Sequence, residues 1–198
     1  GDLHIIGNSN LTTLGGLRNL TTIGGDLHII GNPNLTTLEG LRNLTTIGGD
    51  FMIKYNNLLE EIELNNLSEI TGNLEIEGNL FVTLNGLGGI RSLRRLKIHD
   101  TTELISCEGL NGLEILGDDL VVDHYPQTLT EEENITTLDI QTNDKLRNLN
   151  GLENLKWIDG HIRIEHNQRL TSLNGLQNVQ RIRGPRVDGT VQNSLIYV

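Results

Sequence analysis

Residues 1–24 read GDLHIIGNSNLTTLGGLRNLTTIG and residues 25–48 read GDLHIIGNPNLTTLEGLRNLTTIG, two copies that differ at two positions and set a period of 24 residues. Self-similarity at such a period means that a small unit is stacked on copies of itself, because one unit cannot bury its own apolar face. Working outward, the phrase L-x-I-x-x-N recurs more loosely along the chain. It begins at Leu3, Leu27, Phe51, Leu74, Leu96, Leu120, Leu138 and Ile162, which predicts about eight coils.

Inside the phrase, Leu27-His28-Ile29 alternates with a period of two, so Leu27 and Ile29 share one face and His28 takes the other. Each copy therefore predicts a short strand. Three residues beyond the second apolar position stands an asparagine in most copies: Asn8, Asn32, Asn56, Asn79, Asn143 and Asn167. A loop asparagine chosen only for its tolerance of unusual dihedrals would not keep a fixed spacing. The regularity predicts a ladder, each side chain bonding backbone groups of the neighbouring coil.

After the asparagine, apolar residues fall at every third position, as in Leu35, Leu38, Leu41, Leu44 and Ile47. That spacing is near a helical period, but the Thr-Thr pairs and the steps Gly15-Gly16, Gly24-Gly25 and Gly48-Gly49 disfavour a helix. Short extended pieces and turns are expected, each sending one Leu or Ile to the solenoid axis. Cys107 occupies the place of Leu38 in its own copy and reads as a core filler, since a free Cys packs as a small hydrophobe. The fold class expected is mainly β, a parallel β-solenoid with little or no helix, and residues 1–198 are read as a single domain.

With the strand phrase and the trailing L-x-x-L-x-G-L-x-x-L-x-x-I-x-G in view, the chain resembles the receptor L domain family. These leucine-rich modules form ligand-binding lobes of insulin-receptor and epidermal-growth-factor-receptor ectodomains, and they also occur in fungal, protist and bacterial surface proteins. The resemblance implies a right-handed solenoid with one long parallel sheet whose outer face binds protein ligands. It implies no enzyme activity and no cofactor. The cysteines that cap the animal receptor modules are missing here, so the resemblance fits a microbial or fungal-type surface protein better than a hormone receptor.

The formal net charge of −11 would repel a polyanion, which excludes general nucleic-acid binding and adhesion to an anionic bilayer as first readings. No apolar run is long enough to span a bilayer, so direct membrane insertion is not expected. Gly1 reads as a trimmed or processed start, and a single Cys permits no intrachain disulfide. The localisation expected is extracellular or cell-surface, within a larger surface protein. Six asparagines, at positions 10, 19, 34, 43, 66 and 134, fit the N-x-S/T acceptor pattern, but four of them belong to the duplicated phrase.

If the apolar strand residues point inward, the outward positions form columns that can be read from the sequence. The expected ligand-binding face comprises His4, Ile6, His28, Ile30, Met52, Lys54, Tyr55, Glu75, Glu77, Lys97, His99, Asp123, His124 and Tyr125. Its first coils are apolar and its later ones are acidic and His-bearing. The partner expected is a protein or glycan, and the alternative is a structural spacer or wall and adhesion scaffold with no specific ligand. The segment DHYPQTLTEEEN at positions 123–134 breaks the leucine pattern and is a candidate contact loop.

Other constellations have simpler readings. His4 and His28 beside Asp2 and Asp26 have metal-ligand chemistry, yet duplication alone accounts for the pair, and no metal site is expected. Glu77, Asp100, Asp123 and Asp139 on neighbouring coils suggest the paired acids of polysaccharide-cleaving solenoids, but nothing singles out two of them at a defined separation. No enzyme is expected. The Thr-Thr pairs suggest a hydroxyl lattice of the ice-binding sort, which fails because middle coils carry Glu60-Glu61 and Ile105-Ser106 instead. Arg91, Arg94, Arg95 and Lys97 form a basic knot, read as a solvated edge.

Overall fold

The structure is a computed structural model; it describes residues 1–117 and 136–183, together with the backbone strands Arg186–Val187, Thr190–Val191 and Ile196–Tyr197. One sheet of eight parallel strands runs its length, and each strand comes from a successive coil. We number these strands β1 (Leu3–Ile6), β2 (Leu27–Ile30), β3 (Phe51–Lys54), β4 (Leu74–Glu77), β5 (Leu96–His99), β6 (Thr136–Gln141), β7 (His161–Glu165) and β8 (Ile196–Tyr197). Shorter parallel ladders line another side. One joins Thr22–Ile23, Thr46–Ile47 and Glu69–Ile70; the other joins Ser92–Leu93, Ile115–Leu116, Trp157–Asp159 and Arg181–Arg183. Helix is confined, among the described residues, to the 3-10 turns Gly15–Leu17 and Glu39–Leu41.

The alternation read from the sequence is the cause of the sheet. Leu27 and Ile29 are fully buried while His28 and Ile30 are half-exposed, and β3, β4 and β5 repeat that pattern. The every-third-residue leucines complete the core, with Leu35, Leu38, Leu41, Leu44 and Ile47 all at 0% exposure. Burying a side chain of this size is worth about 1.5–3 kcal/mol, and here the cover for each one is supplied by the coils above and below. Cys107 lies fully buried in this column, as expected. Burial, with the charge of Glu153, pushes its thiol up to about 12, so it packs as an inert hydrophobe.

The asparagine ladder forms as the spacing predicted. Oδ1 of Asn32, Asn56 and Asn79 each accepts from the backbone N–H of the preceding rung, Asn8, Asn32 and Asn56, at 3.1 Å. Each Nδ2 donates back to a strand carbonyl of the preceding coil, as Asn56 does to Ile29 at 2.9 Å. A second ladder, of aspartates, has no counterpart in the sequence reading. Oδ1 of Asp2, Asp26 and Asp50 accepts from the N–H of Asp26, Asp50 and Asn73 at 3.1, 2.8 and 2.8 Å. The Gly-Asp step before each early strand was its signal.

The coil count needs one correction. β5 pairs directly with β6, Leu96 facing Leu138 and His99 facing Gln141, so no strand from Leu120 intervenes. The ladder shows why: Thr101 reaches its partner Asn143 across 42 residues, whereas Asn143 and Asn167 are 24 apart. What reads as two coils is one coil carrying an insert, and the insert itself lies outside the described residues. Among the described residues, β8, which pairs with β7 through Ile196 and Tyr197, supplies the eighth strand of the sheet. The Leu120 copy has Tyr125 where the ladder asparagine belongs, but the Leu96 copy has Thr101 there and is a true coil, so the sequence alone did not separate them.

Candidate functional site

The outward residues of the long sheet fall into three columns. Along the middle column run His4, His28, Met52, Glu75, Lys97, Asp139 and Arg163 in strand-to-strand register. Beside it run Ile6, Ile30, Lys54, Glu77, His99, Gln141 and Glu165. The third column is the residue that follows each strand, and its backbone is left-handed throughout: Gly7, Gly31, Tyr55, Gly78, Asp100, Thr142 and His166 all have positive φ. The face residues expected on β1 to β5 are thus brought together in order, whereas Asp123, His124 and Tyr125 lie outside the described residues.

From β3 onward the face is closed on itself by charge. Lys54 Nζ stands 2.5 Å from Glu75 Oε2 and 3.5 Å from Glu77 Oε2. The Tyr55 phenol donates to Glu77 Oε1. His99 Nε2 lies 3.1 Å from Asp139 Oδ1, and Gln141 Nε2 donates to the same oxygen at 2.6 Å. Opposite charges oppose one another across strands, the arrangement that stabilises cross-strand pairs. Burial works against ionisation of Glu77, but the Tyr55 hydrogen bond and the cations Lys54, Lys97 and His99 outweigh it and hold the carboxyl below its ordinary range. Asp139 follows the same logic, its burial outweighed by His99, Gln141 and Arg163.

These carboxylates are committed to their partners. A glycosidic acid catalyst needs a raised pKa, and Glu77 and Asp139 are shifted the opposite way. Glu77 and Asp139 also stand in different columns, Glu77 in register with His99 and Asp139 with Lys97 on the strand between them. The basic knot disperses in the same manner, since Lys97 joins the middle column while Arg91 Nη1 donates to the Gly112 carbonyl at 3.3 Å.

The first three coils differ. Ile6 and Tyr55 are 52% and 49% exposed, among the most exposed large hydrophobic side chains of the described chain. Between them lie Ile30 and Met52, half-buried against their column neighbours. Tyr55 occupies a position where glycine stands in β1, β2 and β4 coils, and holding a bulky residue there costs on the order of 1 kcal/mol. Its ring lies over Gly78, where an added Cβ would come within 2.5 Å of Tyr55 Cδ1. The next coil leaves room for this ring. Hydrogen bonding to Glu77, then burial, then the charges of Glu77 and Asp100 raise the Tyr55 pKa, so the phenol stays protonated as a donor.

Two sets of polar residues take part in the stacking of the coils. Thr36 and Thr45 hydroxyls donate to the carbonyls of Thr12 and Thr21 one coil back, at 3.2 and 2.9 Å, so they belong to the stack and not to a free hydroxyl lattice. Of the N-x-S/T asparagines, Asn34, Asn43 and Asn66 spend Nδ2 on carbonyls of the preceding coil, those of Ser9, Arg18 and Arg42. The recurrence of Asn-Leu-Thr is thereby accounted for by stacking. No helix of the described residues is long and apolar enough to cross a membrane.

Comparison with curated proteins and with solved structures gave no match. The family comparison did, and it covers the coils that carry the open part of the face: residues 1–86 match the family model described as Receptor L domain.

Proposed function

We propose that the chain is a recognition module, secreted or displayed at a cell surface, that binds a protein partner on the outer face of β1 to β3 through His4, Ile6, His28, Ile30, Met52 and Tyr55. The observation that carries this reading is the division of the face. Its later coils spend their charges on one another, while its first coils present apolar groups over which no described residue folds. An exposed apolar patch rimmed by polar residues marks an interaction surface, and aliphatic side chains with one anchored tyrosine suit a protein better than a sugar ring. The match to the receptor L domain, a family of non-catalytic ligand-binding modules, points the same way. Glu75, Glu77, Lys97 and His99 form the polar rim of the site.

The test is a binding screen of the folded chain against arrays of surface and secreted proteins and of glycans, repeated with Ile30→Asp and Tyr55→Ala. A protein hit weakened at least about tenfold by either change, the loss of a hot-spot contact, is the expected result. A glycan hit with the same sensitivity would move the partner class and keep the face. A hit indifferent to both changes would overturn the assignment of the face. No hit at all from well-folded chain would favour the spacer reading, which the continuous ladders also suit because they stiffen the stack along its axis.

A further inference from the structure

The first two strands also bring together three groups that the sequence reading set aside. His4 and His28 are register partners on β1 and β2, and their rings stack at 4.4 Å between centroids and 3° between planes. Asp26 enters β2 from below with its two oxygens divided in use. Oδ1 holds the aspartate ladder by accepting from Asp50 N–H, and Oδ2 is turned to His28 Nε2 at 4.0 Å. That Nε2 is buried and makes no hydrogen bond. Ligand-capable atoms of His4, Asp26 and His28 all lie within 4.8 Å of one another.

From this arrangement we propose a binding site for one late transition-metal cation of the zinc type, ligated by His4, Asp26 and His28 with water in the fourth position. Two imidazoles and one carboxylate are a donor set that borderline cations prefer, whereas calcium and magnesium seek sets built of oxygen. Metal–ligand bonds of about 2.0–2.1 Å at tetrahedral angles place donor atoms about 3.3 Å apart. The three groups must therefore close by up to about 1.5 Å, and one imidazole must turn out of the parallel stack so that both nitrogen lone pairs meet the ion. His4 has the freedom to do so because it is exposed on the edge strand. Asp26 is already fixed by the ladder, which serves as the outer support that orients a ligand.

Duplication accounts for the two histidines but not for the division of labour at Asp26 or for the unpartnered nitrogen beside it. The pattern also stops where it should for a single ion, because Met52 replaces a third imidazole in the same column. The site lies within the proposed binding face yet stands independently of that reading.

Titration calorimetry with zinc chloride in a non-coordinating buffer tests it, on the unaltered chain and on His4→Gln, His28→Gln and Asp26→Asn. The unaltered chain should take up one zinc per chain in the micromolar range, and each variant should lose at least about tenfold in affinity. Asp26→Asn keeps a carbonyl oxygen for the ladder and His4→Gln lies on an exposed edge, so both remain folded, which circular dichroism verifies. X-ray absorption of the zinc-loaded chain should show two imidazole nitrogens. Absence of saturable binding below millimolar zinc, binding by His28→Gln or Asp26→Asn as tight as that of the unaltered chain, or calcium bound as tightly as zinc would each overturn the proposal.

Discussion

Replacing Asn56 with alanine removes the middle rung of the buried asparagine ladder. Its Oδ1 accepts from the Asn32 backbone N–H at 3.1 Å, and its Nδ2 donates to the Ile29 and Lys54 carbonyls at 2.9 and 3.0 Å. Asn56 is fully buried, and water has no ready route to the groups it leaves behind. Two of them, the Asn32 N–H and the Ile29 carbonyl, lose a partner in the interior. At about 1–3 kcal/mol for each unsatisfied buried group, the loss comes to roughly 2–6 kcal/mol. Asn8→Ala is the control, because Asn8 sits at the exposed end of the same ladder and no preceding rung donates to it in the described chain. It should cost no more than about 1 kcal/mol. Urea unfolding followed by circular dichroism measures both, with the slope checked for constancy so that a midpoint shift reports stability. If Asn56→Ala cost under about 1 kcal/mol, or no more than Asn8→Ala, the ladder would be a by-product of stacking and not a cause of it.

Gly109→Ala puts a Cβ 2.1 Å from the carbonyl carbon of Leu84 at a backbone φ of +110° and should cost about 3 kcal/mol or more. Gly88→Ala, whose nearest neighbour would be the Gly109 carbonyl oxygen at 3.7 Å, should stay within about 0.5 kcal/mol in the same unfolding assay; equal losses would refute the close-approach argument. Asp139 is held below its ordinary pKa by His99, Gln141 and Arg163 against the opposing pull of burial. A depressed carboxyl stabilises the fold above its unfolded value, about 3.9, and that stability is lost as pH falls through the folded value. Asp139→Asn should therefore flatten the stability curve below about pH 4; an unchanged acid limb would refute the ion-pair assignment.

The strands, the asparagine ladder and the buried leucine columns were legible because each is written as a spacing, and a stack of like coils preserves spacing in space. The long coil was not, because Leu120-Val121-Val122 imitates the strand phrase while the number of residues between rungs is a tertiary fact, fixed by Leu96 meeting Leu138. The aspartate ladder was overlooked for a different reason. An Asp before a strand is ordinary in sequence, and only the stacked geometry shows that at Asp26 one oxygen serves the next coil's N–H while the other faces His28. The face columns followed from alternation alone, yet which of their charges are neutralised depended on rotamers that span two strands, as Lys54 does to reach Glu75 and Glu77.

That division between spacing and rotamer explains why the face is free to carry recognition. Backbone groups at the coil corners are satisfied by Asn32, Asn56 and Asp26, residues that point into the stack or along it, so no face side chain is needed to hold a coil in place. Face positions can then change from His to Met to Glu to Lys along one column without altering the strand register. In β1 and β2 the copied phrase does the opposite and places identical His and Ile residues on adjoining strands, about 4.8 Å apart. Repetition there turns single side chains into pairs: two isoleucines make a patch where one would be an ordinary surface residue, and two imidazoles make a ligand set where one would be a weak donor. Tyr55 closes that patch at β3 from a strained backbone position that glycine fills in the neighbouring coils, which places the strain at the margin of the open face and not in the core.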